Sequence, residues 1–174
     1  MSFKYSVTYA AGWSSSVINL PFIIPWAAAE KENNIPVVLG RTHSLPPRED
    51  DDVDLPYKLP FLLQQAGILF AISVDGSWQT RNLPFNAGTG EAYGLTEEQA
   101  VDAITSAPAK ILGIEATCGT IEVGKDATFV ISHDDALDMK ENSIETAYIQ
   151  GREINLDNIQ RQLWLKYKAK YGLK

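Results

Sequence analysis

The most informative stretch of the sequence is Gly67-Ile68-Leu69-Phe70-Ala71-Ile72-Ser73-Val74-Asp75-Gly76. Its seven apolar or small residues, Ile68 to Val74, do not alternate with polar ones and end at a carboxylate and a glycine. Such a run predicts a strand that is buried on both faces, as in a parallel sheet. A carboxylate at the carboxyl end of such a strand stands where α/β sheets and barrels place their chemistry. The alternative is that Asp75-Gly76 is only a tight turn, which this dipeptide favours.

A second strand and a helix are predicted before this stretch. Ile35 to Leu39 reads as a short buried strand, and Leu55 to Ala66 has apolar residues at helical spacing with Gly67 as its stop. A strand, a loop, a helix and a strand in this order predict two parallel neighbours joined by a crossover. His43 follows the first strand in the loop 41–54. We expect it either to line a site or to cap the loop at the surface.

Helices and then a small β region are predicted after Asp75. Thr96 is the predicted N-cap of one helix, with Gln99 as its capping-box partner. The small residues in 87–90 allow another backbone to approach the preceding helix closely. The predicted helices are one at 83–93 and helical turns from Thr96 that restart at Pro108 and end at Gly113. A short strand, a turn and a longer strand are predicted within 119–132, followed by a hairpin at 146–154 that turns at Gly151. A last helix is predicted at 158–171, with Ile159, Leu163, Trp164 and Tyr167 on one face, and upstream 26–33 is typical of the last turns of a helix.

Composition excludes several classes of function. A net charge of −7 over 174 residues argues against a nucleic-acid surface, because phosphate binding needs clustered Lys and Arg. No segment has the roughly 18 apolar residues of a membrane span, so we expect no membrane partner. The two histidines in the chain cannot build a His-rich metal centre alone, and the single Cys118 excludes an internal disulfide. The amino terminus lacks a signal-peptide core, so we expect a cytoplasmic protein, although a longer parent chain could be exported.

Four phrases of the sequence resemble, in their order, the C-terminal part of the amidohydrolase superfamily, especially its imidazolonepropionase-like and prolidase-like metal-dependent hydrolases. The phrases are Val74-Asp75-Gly76 with Arg81-Asn82-Leu83-Pro84-Phe85, Ala103-Ile104-Thr105 with Pro108-Ala109-Lys110-Ile111-Leu112-Gly113, Gly119-Thr120-Ile121-Glu122-Val123-Gly124-Lys125-Asp126-Ala127, and Ile149-Gln150-Gly151-Arg152-Glu153-Ile154. The resemblance implies an α/β fold: the C-terminal part of a (β/α)8 TIM-like barrel, part of a small β domain and a C-terminal helix. The implied division is 1–34 unmatched with a possible helix, 35–116 the last two barrel strands with their helices, 117–155 the partial β domain, and 156–174 the last helix.

The resemblance also implies site residues. Asp75 matches the family's aspartate at the end of strand eight, which contacts the metal or takes the proton of the attacking water. It is therefore the implied catalytic residue and a ligand of zinc or another divalent metal. Arg81 could bind a substrate carboxylate or hold its loop by a salt bridge, and Trp78 could wall a pocket or pack beneath it. Together with His43, these are the candidate substrate-binding residues.

The sequence also departs from the family. The family's His-x-His, its bridging lysine or glutamate and its two middle-strand histidines belong to strands one to six and have no counterparts here. Because a hydrolytic zinc needs about three protein ligands, we expect this chain to bind no metal alone. The expected function is a fragment, inactive alone, of a hydrolase acting on amide or cyclic amide C–N bonds, with a small-molecule amide as the parent's substrate. The alternative is a non-catalytic α/β structural or interaction module, and in either case exposed sheet edges predict a homo-oligomer.

Overall fold

A computed structural model describes residues 35–46 and 49–172, together with the backbone of two short strands, β1 (Tyr5–Val7) and β2 (Ser16–Ile18). β1 and β2 pair in the antiparallel sense, which the sequence pattern of residues 1–19 does not predict. The helix predicted at 26–33 lies outside the described residues.

A parallel βαβ unit forms the centre of the structure and confirms the predicted crossover. It consists of β3 (Val37–Leu39), α1 (Leu55–Ala66) and β4 (Phe70–Ile72), with β3 and β4 parallel. All three residues of β4 are buried, as a strand covered on both faces requires. The strand is nevertheless shorter than the predicted Ile68 to Val74. The mixed α/β class is confirmed, while two parallel strands are too few to define a barrel.

The backbone hydrogen bonds of β4 on the edge that faces away from β3 explain part of the difference between its predicted and observed length. On one side, the amide of Ser73 still donates to the carbonyl of Leu39 at 2.8 Å, so pairing with β3 continues slightly beyond the strand. On the other side, the amide of Ile72 donates to the carbonyl oxygen of Ala103 at 2.9 Å. A carbonyl from the helical region after β4, not that of another strand, therefore satisfies this edge donor.

Helix α1 has the predicted bounds. Gly67 ends it in the left-handed conformation, with φ of 70°, and its amide bonds back to the carbonyls of Leu63 and Gln64. Pro56 lies in the first turn, where its missing amide costs nothing, while Pro60 lies inside the helix. Leu63 is 1% exposed and packs into the core below the sheet.

Three helices follow β4, after a single 3₁₀ turn at Thr80–Asn82: α2 (Leu83–Ala92), α3 (Glu97–Asp102) and α4 (Ser106–Leu112). The predicted capping box of α3 is confirmed, because Gln99 N donates to Thr96 Oγ1 at 3.2 Å and Thr96 N to Gln99 Oε1 at 3.0 Å. The predicted restart at Pro108 is wrong by two residues. Thr105 leaves helical geometry and α4 begins at Ser106, which places Pro108 in the first turn.

The hydrophobic core lies between the parallel strands and the helices that cover them. Its members come from both strands, from α1 to α3, from residues next to these elements and from one later loop residue: Val37, Leu39, Leu63, Ile68, Phe70, Ile72, Ala87, Leu95, Ala100, Ala103 and Leu137. The loop residue, Leu137, packs on α2 at Gly88. The close backbone approach predicted at 87–90 is thereby confirmed.

The predicted β region is an antiparallel sheet of β5 (Phe129–Ser132), β6 (Ile144–Ile149) and β7 (Arg152–Glu153), in that order. The hairpin is confirmed: β6 and β7 are joined by Gln150 and Gly151, both at positive φ, which suits a two-residue hairpin turn.

The short strand predicted just after Gly119 is wrong. Residues 119–128 contain turns and bends, and no described strand pairs with them. Some of their polar groups bond within the segment, since Lys125 Nζ lies 2.5 Å from Thr120 Oγ1 and 3.4 Å from Glu122 Oε1. A strand-like composition without a partner backbone gives a turn here.

The last helix, α5 (Ile159–Tyr171), is confirmed but begins one residue later than predicted, because Asn158 is its N-cap and accepts a hydrogen bond from the amide of Arg161 at 2.9 Å. Its predicted apolar face is exposed, and no residue of α5 is buried against the described part of the chain. Searching the described helices gives none that is long and apolar enough to cross a membrane.

We expect Gly88→Ala to lower the free energy of unfolding by about 1–3 kcal/mol, the usual cost of overpacking. A Cβ at this position would clash with the carbonyl oxygen of Leu137 and lie 3.2 Å from its Cβ. The penalty should outweigh the advantage of about 1 kcal/mol that alanine has over glycine in a helix. Urea unfolding followed by circular dichroism measures the difference. Gly40→Ala is the control, because nothing lies within 4 Å of its added Cβ; a Gly88→Ala protein as stable as the wild type would contradict the packing.

Candidate functional site

The predicted site residues lie on two loops that leave the same edge of the parallel sheet. His43 follows β3, and Asp75, Trp78 and Arg81 follow β4. The carboxyl ends of adjacent parallel strands open at one edge, which is where α/β sheets bind their ligands. The two loops differ in how they are held.

A buried polar cluster around Asn86 of α2 holds the loop after β3. Asn86 Oδ1 accepts hydrogen bonds from the amides of Thr42 at 2.9 Å and His43 at 3.2 Å. The Thr42 hydroxyl lies 3.0 Å from both Asn86 Oδ1 and the Asn86 carbonyl oxygen, and its one proton goes to either of them. Its Nδ2 donates to the carbonyl of Asn82 at 2.8 Å. Thr42 and Asn86 are each 2% exposed, so these bonds replace water that neither group can reach.

The ring of His43 is fixed by the same helix. His43 Nε2 lies 2.6 Å from Thr89 Oγ1, and the ring meets Tyr57 edge-on at a centroid distance of 6.5 Å. Tyr57 in turn packs on Tyr93 at 5.4 Å. Partial burial lowers the pKa of His43 below its ordinary value, which favours the neutral imidazole at pH 7.

The far end of this loop is tied to α1 and α2 by polar contacts. Lys58 Nζ lies 2.6 Å from Asp52 Oδ2 and 3.9 Å from Asp54, and Tyr93 Oη donates to Asp54 Oδ1 at 3.3 Å. The hydrogen bond from Lys58 lowers the pKa of Asp52 and raises that of Lys58, so both stay charged near neutral pH. Because the pair is exposed, it adds little to stability and serves mainly to orient the loop.

The loop after β4 is more open. Asp75, Trp78 and Arg81 are all exposed, Trp78 at 71%. The guanidinium carbon of Arg81 lies 4.5 Å from the centroid of the Trp78 ring, which is a cation–π contact. Within the described residues, Asp75 and Arg81 have no ion pair, so the carboxylate and the guanidinium are both open to a ligand.

A metal site does not form from the described residues. Nowhere in 35–46 and 49–172 do three His, Cys, Asp or Glu side chains come together in a way that could hold an ion. Asp75 and His43 also make no direct contact with each other within these ranges. The residues present therefore do not fit the metal centre that the resemblance implies, and we derive no metal-dependent step from them.

A cleft of about 410 Å³ lies beside α2, between this helix and the segment around Leu137. Phe85, Thr89 and Met139 line it together with Glu91 and Asp135. Burial, and then the charge of Asp135, raise the pKa of Glu91. Thr89 borders both this cleft and the ring of His43.

Thr42, Asn86 and Thr89 are not among the site residues predicted from the sequence. Asn86 carried a usable signal, because an asparagine inside a helix has poor propensity and needs a hydrogen-bonding reason to be there. The helical spacing of Asn86 and Thr89, three residues apart, places both on the same face of α2.

We expect Asn86→Ala to lower the free energy of unfolding by roughly 2–4 kcal/mol, because it leaves buried donors of Thr42 and His43 without an acceptor. Chemical denaturation measures the loss. Asn155→Ala is the matched control, since Asn155 is exposed and its Oδ1 accepts only one local bond, from the amide of Asp157 at 2.8 Å. Equal losses in the two variants would show that the buried cluster does not hold the loop.

Comparison with known proteins identifies the family. Residues 58–154, more than half of the chain, match the sequence profile of the Amidohydrolase family. The fold resembles an amidohydrolase from Thermotoga maritima MSB8, with a TM-score of 0.65 and 30% identity over 76% of this chain and 34% of that one. It also resembles a second amidohydrolase, with a TM-score of 0.57 and 18% identity over 75% of this chain and 37% of that one.

A shorter match joins the chain to a curated protein. A stretch of 64 residues is 41% identical to the N-acetylglucosamine-6-phosphate deacetylase of Danio rerio, covering 37% of this chain and 14% of the deacetylase. The chain thus spans about a third of the solved amidohydrolases and a smaller share of the deacetylase. On the family profile and the shared fold, the chain belongs to the amidohydrolase family.

Proposed function

We propose that this chain is the C-terminal part of an amidohydrolase-type, metal-dependent hydrolase that acts on the C–N bonds of amides or cyclic amides, and that it is inactive alone. The observation that carries the proposal is the parallel βαβ unit, with His43 and Asp75 on loops at one edge. The part of this unit from Lys58 onward, including β4 and Asp75, lies inside the segment that matches the family. In this proposal β3 and β4 are strands seven and eight of a (β/α)8 barrel. The sheet β5–β7 is then part of the small β domain.

The chain covers only part of the fold of its solved relative, which supports the proposal that it is part of a longer protein. The Thermotoga maritima amidohydrolase is 34% covered by this chain, although 76% of this chain aligns with it. Amidohydrolases generally use divalent metals, and the described residues of this chain do not assemble a metal site. The additional ligands would have to come from other parts of the complete fold.

The residues after β4 are given distinct roles in this proposal. Asp75 is the catalytic carboxylate, because it is exposed at the strand end and has no described partner that would occupy it. Arg81 and Trp78 bind the substrate: a guanidinium suits a carboxylate or carbonyl group, and the stacked indole gives a flat apolar surface. A small-molecule amide is the ligand that these groups suit.

A non-catalytic α/β structural or interaction module is the second candidate. The observation that favours it is the lack, among the described residues, of any three side chains that could hold a metal. Such a module would keep the Asn86 cluster and the core, and Asp75 would be an ordinary turn residue.

The two functions are separated by assaying two polypeptides with amide and cyclic amide substrates in the presence of Zn²⁺ or Mn²⁺. One is the 174-residue chain; the other is the polypeptide encoded when the reading frame upstream of Met1 is included. We expect hydrolysis only from the longer polypeptide, and a loss of at least about 10²-fold in kcat on Asp75→Asn, as for a lost general base.

Asp134→Asn is the matched control, because Asp134 is exposed, lies far along the chain from the site and has no described side-chain contact. An upstream frame without His-x-His, or a longer polypeptide that binds no metal and hydrolyses no amide, would overturn the enzyme proposal in favour of the module. Hydrolysis by the 174-residue chain, lost on Asp75→Asn, would overturn the inactivity of the chain alone.

We also propose that the chain forms a homo-oligomer through its exposed sheet edges. β5 lies at one edge of its sheet, and its Val130 and Ile131 are exposed. An apolar edge strand offers both unpaired backbone groups and apolar area to another copy.

Sedimentation velocity at micromolar concentration should therefore give a species heavier than the 19.2 kDa monomer. Val130→Lys should weaken the association, because a lysine on an edge strand opposes pairing. Ile121→Lys is the control, since Ile121 is exposed but lies outside any strand. A clean monomer for the wild-type chain would contradict the proposal.

A further inference from the structure

We propose that Thr89 is a positioning residue that holds the imidazole of His43 with its proton on Nε2, and so leaves Nδ1 as a hydrogen-bond acceptor for a ligand at the edge of the parallel sheet. The proposal concerns a residue that neither the family match nor the sequence pattern singles out. It follows from the single proton of the Thr89 hydroxyl, whose oxygen contacts both the Phe85 carbonyl oxygen and His43 Nε2.

The hydroxyl of Thr89 has one proton, and that proton is already used. Thr89 Oγ1 donates to the carbonyl oxygen of Phe85 at 2.9 Å, one turn earlier in α2. The same oxygen lies 2.6 Å from His43 Nε2. With its proton directed at the Phe85 carbonyl, the hydroxyl accepts in this second contact, and on this basis we assign the imidazole as the donor and the ring proton to Nε2.

The other ring nitrogen is open. Within the described residues, His43 Nδ1 has no hydrogen-bond partner. It is also not a fully buried atom, because Asp51 Oδ2 is the single buried side-chain nitrogen or oxygen without a partner among these residues. Partial burial of the ring lowers the pKa of His43, which favours the neutral form and leaves a lone pair on Nδ1 at pH 7. The loop therefore presents an acceptor and not a cation.

One face of α2 fixes both ends of this histidine. Asn86 Oδ1 holds the His43 amide at 3.2 Å, and Thr89, three residues later, holds Nε2. Tyr57 meets the ring edge-on at 6.5 Å. Rotation of the imidazole about its side-chain bonds would break the Thr89 bond, so the direction of Nδ1 is set by the helix.

This geometry gives a class of ligand group. A lone pair on Nδ1 accepts from an N–H or O–H donor, such as the N–H of an amide, and would repel a carboxylate. The assignment of that donor to a substrate rests on the proposed function. The protonation state of the ring does not, because it depends only on contacts within this chain.

Long-range ¹H–¹⁵N spectra of the chain labelled with ¹⁵N-histidine test the proposal directly at pH 7.5. The chain has two histidines, so His133→Gln assigns the signals of His43. We expect Nε2 to resonate as a protonated ring nitrogen and Nδ1 far downfield, as an unprotonated one. In Thr89→Val, which replaces the hydroxyl by a methyl group of similar shape, the separation between the two nitrogens should shrink as the tautomers exchange. Thr89→Ser should restore it.

Thr117→Val is the control, because Thr117 is exposed and its hydroxyl also donates to a nearby carbonyl, that of Ile114 at 3.0 Å. A proton on Nδ1, a doubly protonated His43 at this pH, or unchanged nitrogen shifts in a folded Thr89→Val chain would overturn the proposal. If Thr89→Val does not fold, the wild-type and Thr89→Ser spectra still decide the protonation state. A chain that hydrolyses no amide would leave these spectra unaffected, so the failure of the proposed function is distinguishable from the failure of this inference.

Discussion

The side-chain amide of Asn86 is the contact on which the geometry of the site depends. Its oxygen accepts hydrogen bonds from the amides of Thr42 and His43, and Thr42 and Asn86 are themselves buried. A buried donor left without a partner costs about 1–3 kcal/mol, so the loop cannot leave Asn86 without losing stability. Because Thr42 follows β3 by only three residues, this cluster fixes where the chain departs from the sheet. The core holds α2 on the sheet, and Asn86 transfers that rigidity to His43.

Features that depend on neighbouring residues could be predicted from the sequence. The Thr96–Gln99 capping box, the left-handed stop at Gly67 and the hairpin turn at Gly151 all involve groups within four residues of each other. In such cases the residue type alone selects the conformation. Asn86 and Thr42 are 44 residues apart. The sequence contains a donor and an acceptor there, but only the packing of α2 against the βαβ unit brings them together.

Strand prediction failed where the partner backbone was missing. The run Ile68 to Val74 has the composition of a seven-residue strand, yet β3 pairs with only three of its residues and the Ala103 carbonyl takes the amide of Ile72. Ile121 and Val123 likewise favour a strand and are exposed in a turn region instead. The apolar stripe of α5 correctly predicts a helix, but nothing described covers it. A hydrophobic pattern indicates that a segment can be buried, but its burial also requires a second surface that covers it.

The two loops of the candidate site differ in how well they are preorganised, and this difference has a consequence for the whole fold. His43 is held at its amide and at Nε2 by α2, and its ring meets Tyr57 of α1 edge-on. Asp75 lies on an exposed loop that is held by contacts among its own residues. Thr80 Oγ1 donates to the Gly76 carbonyl at 3.4 Å and Asn82 Nδ2 to Gln79 Oε1 at 2.9 Å. Arg81 also stacks on Trp78, and a cation–π contact at an exposed site stabilises by only about 0.5–1 kcal/mol. Catalysis requires reacting groups to be held within a fraction of an ångström to an ångström of their productive positions. The loop after β3 is held by buried contacts of the described residues, whereas the loop after β4 is held by exposed ones. In the proposed enzyme, the loop after β4 would therefore take its further contacts from the rest of the complete fold.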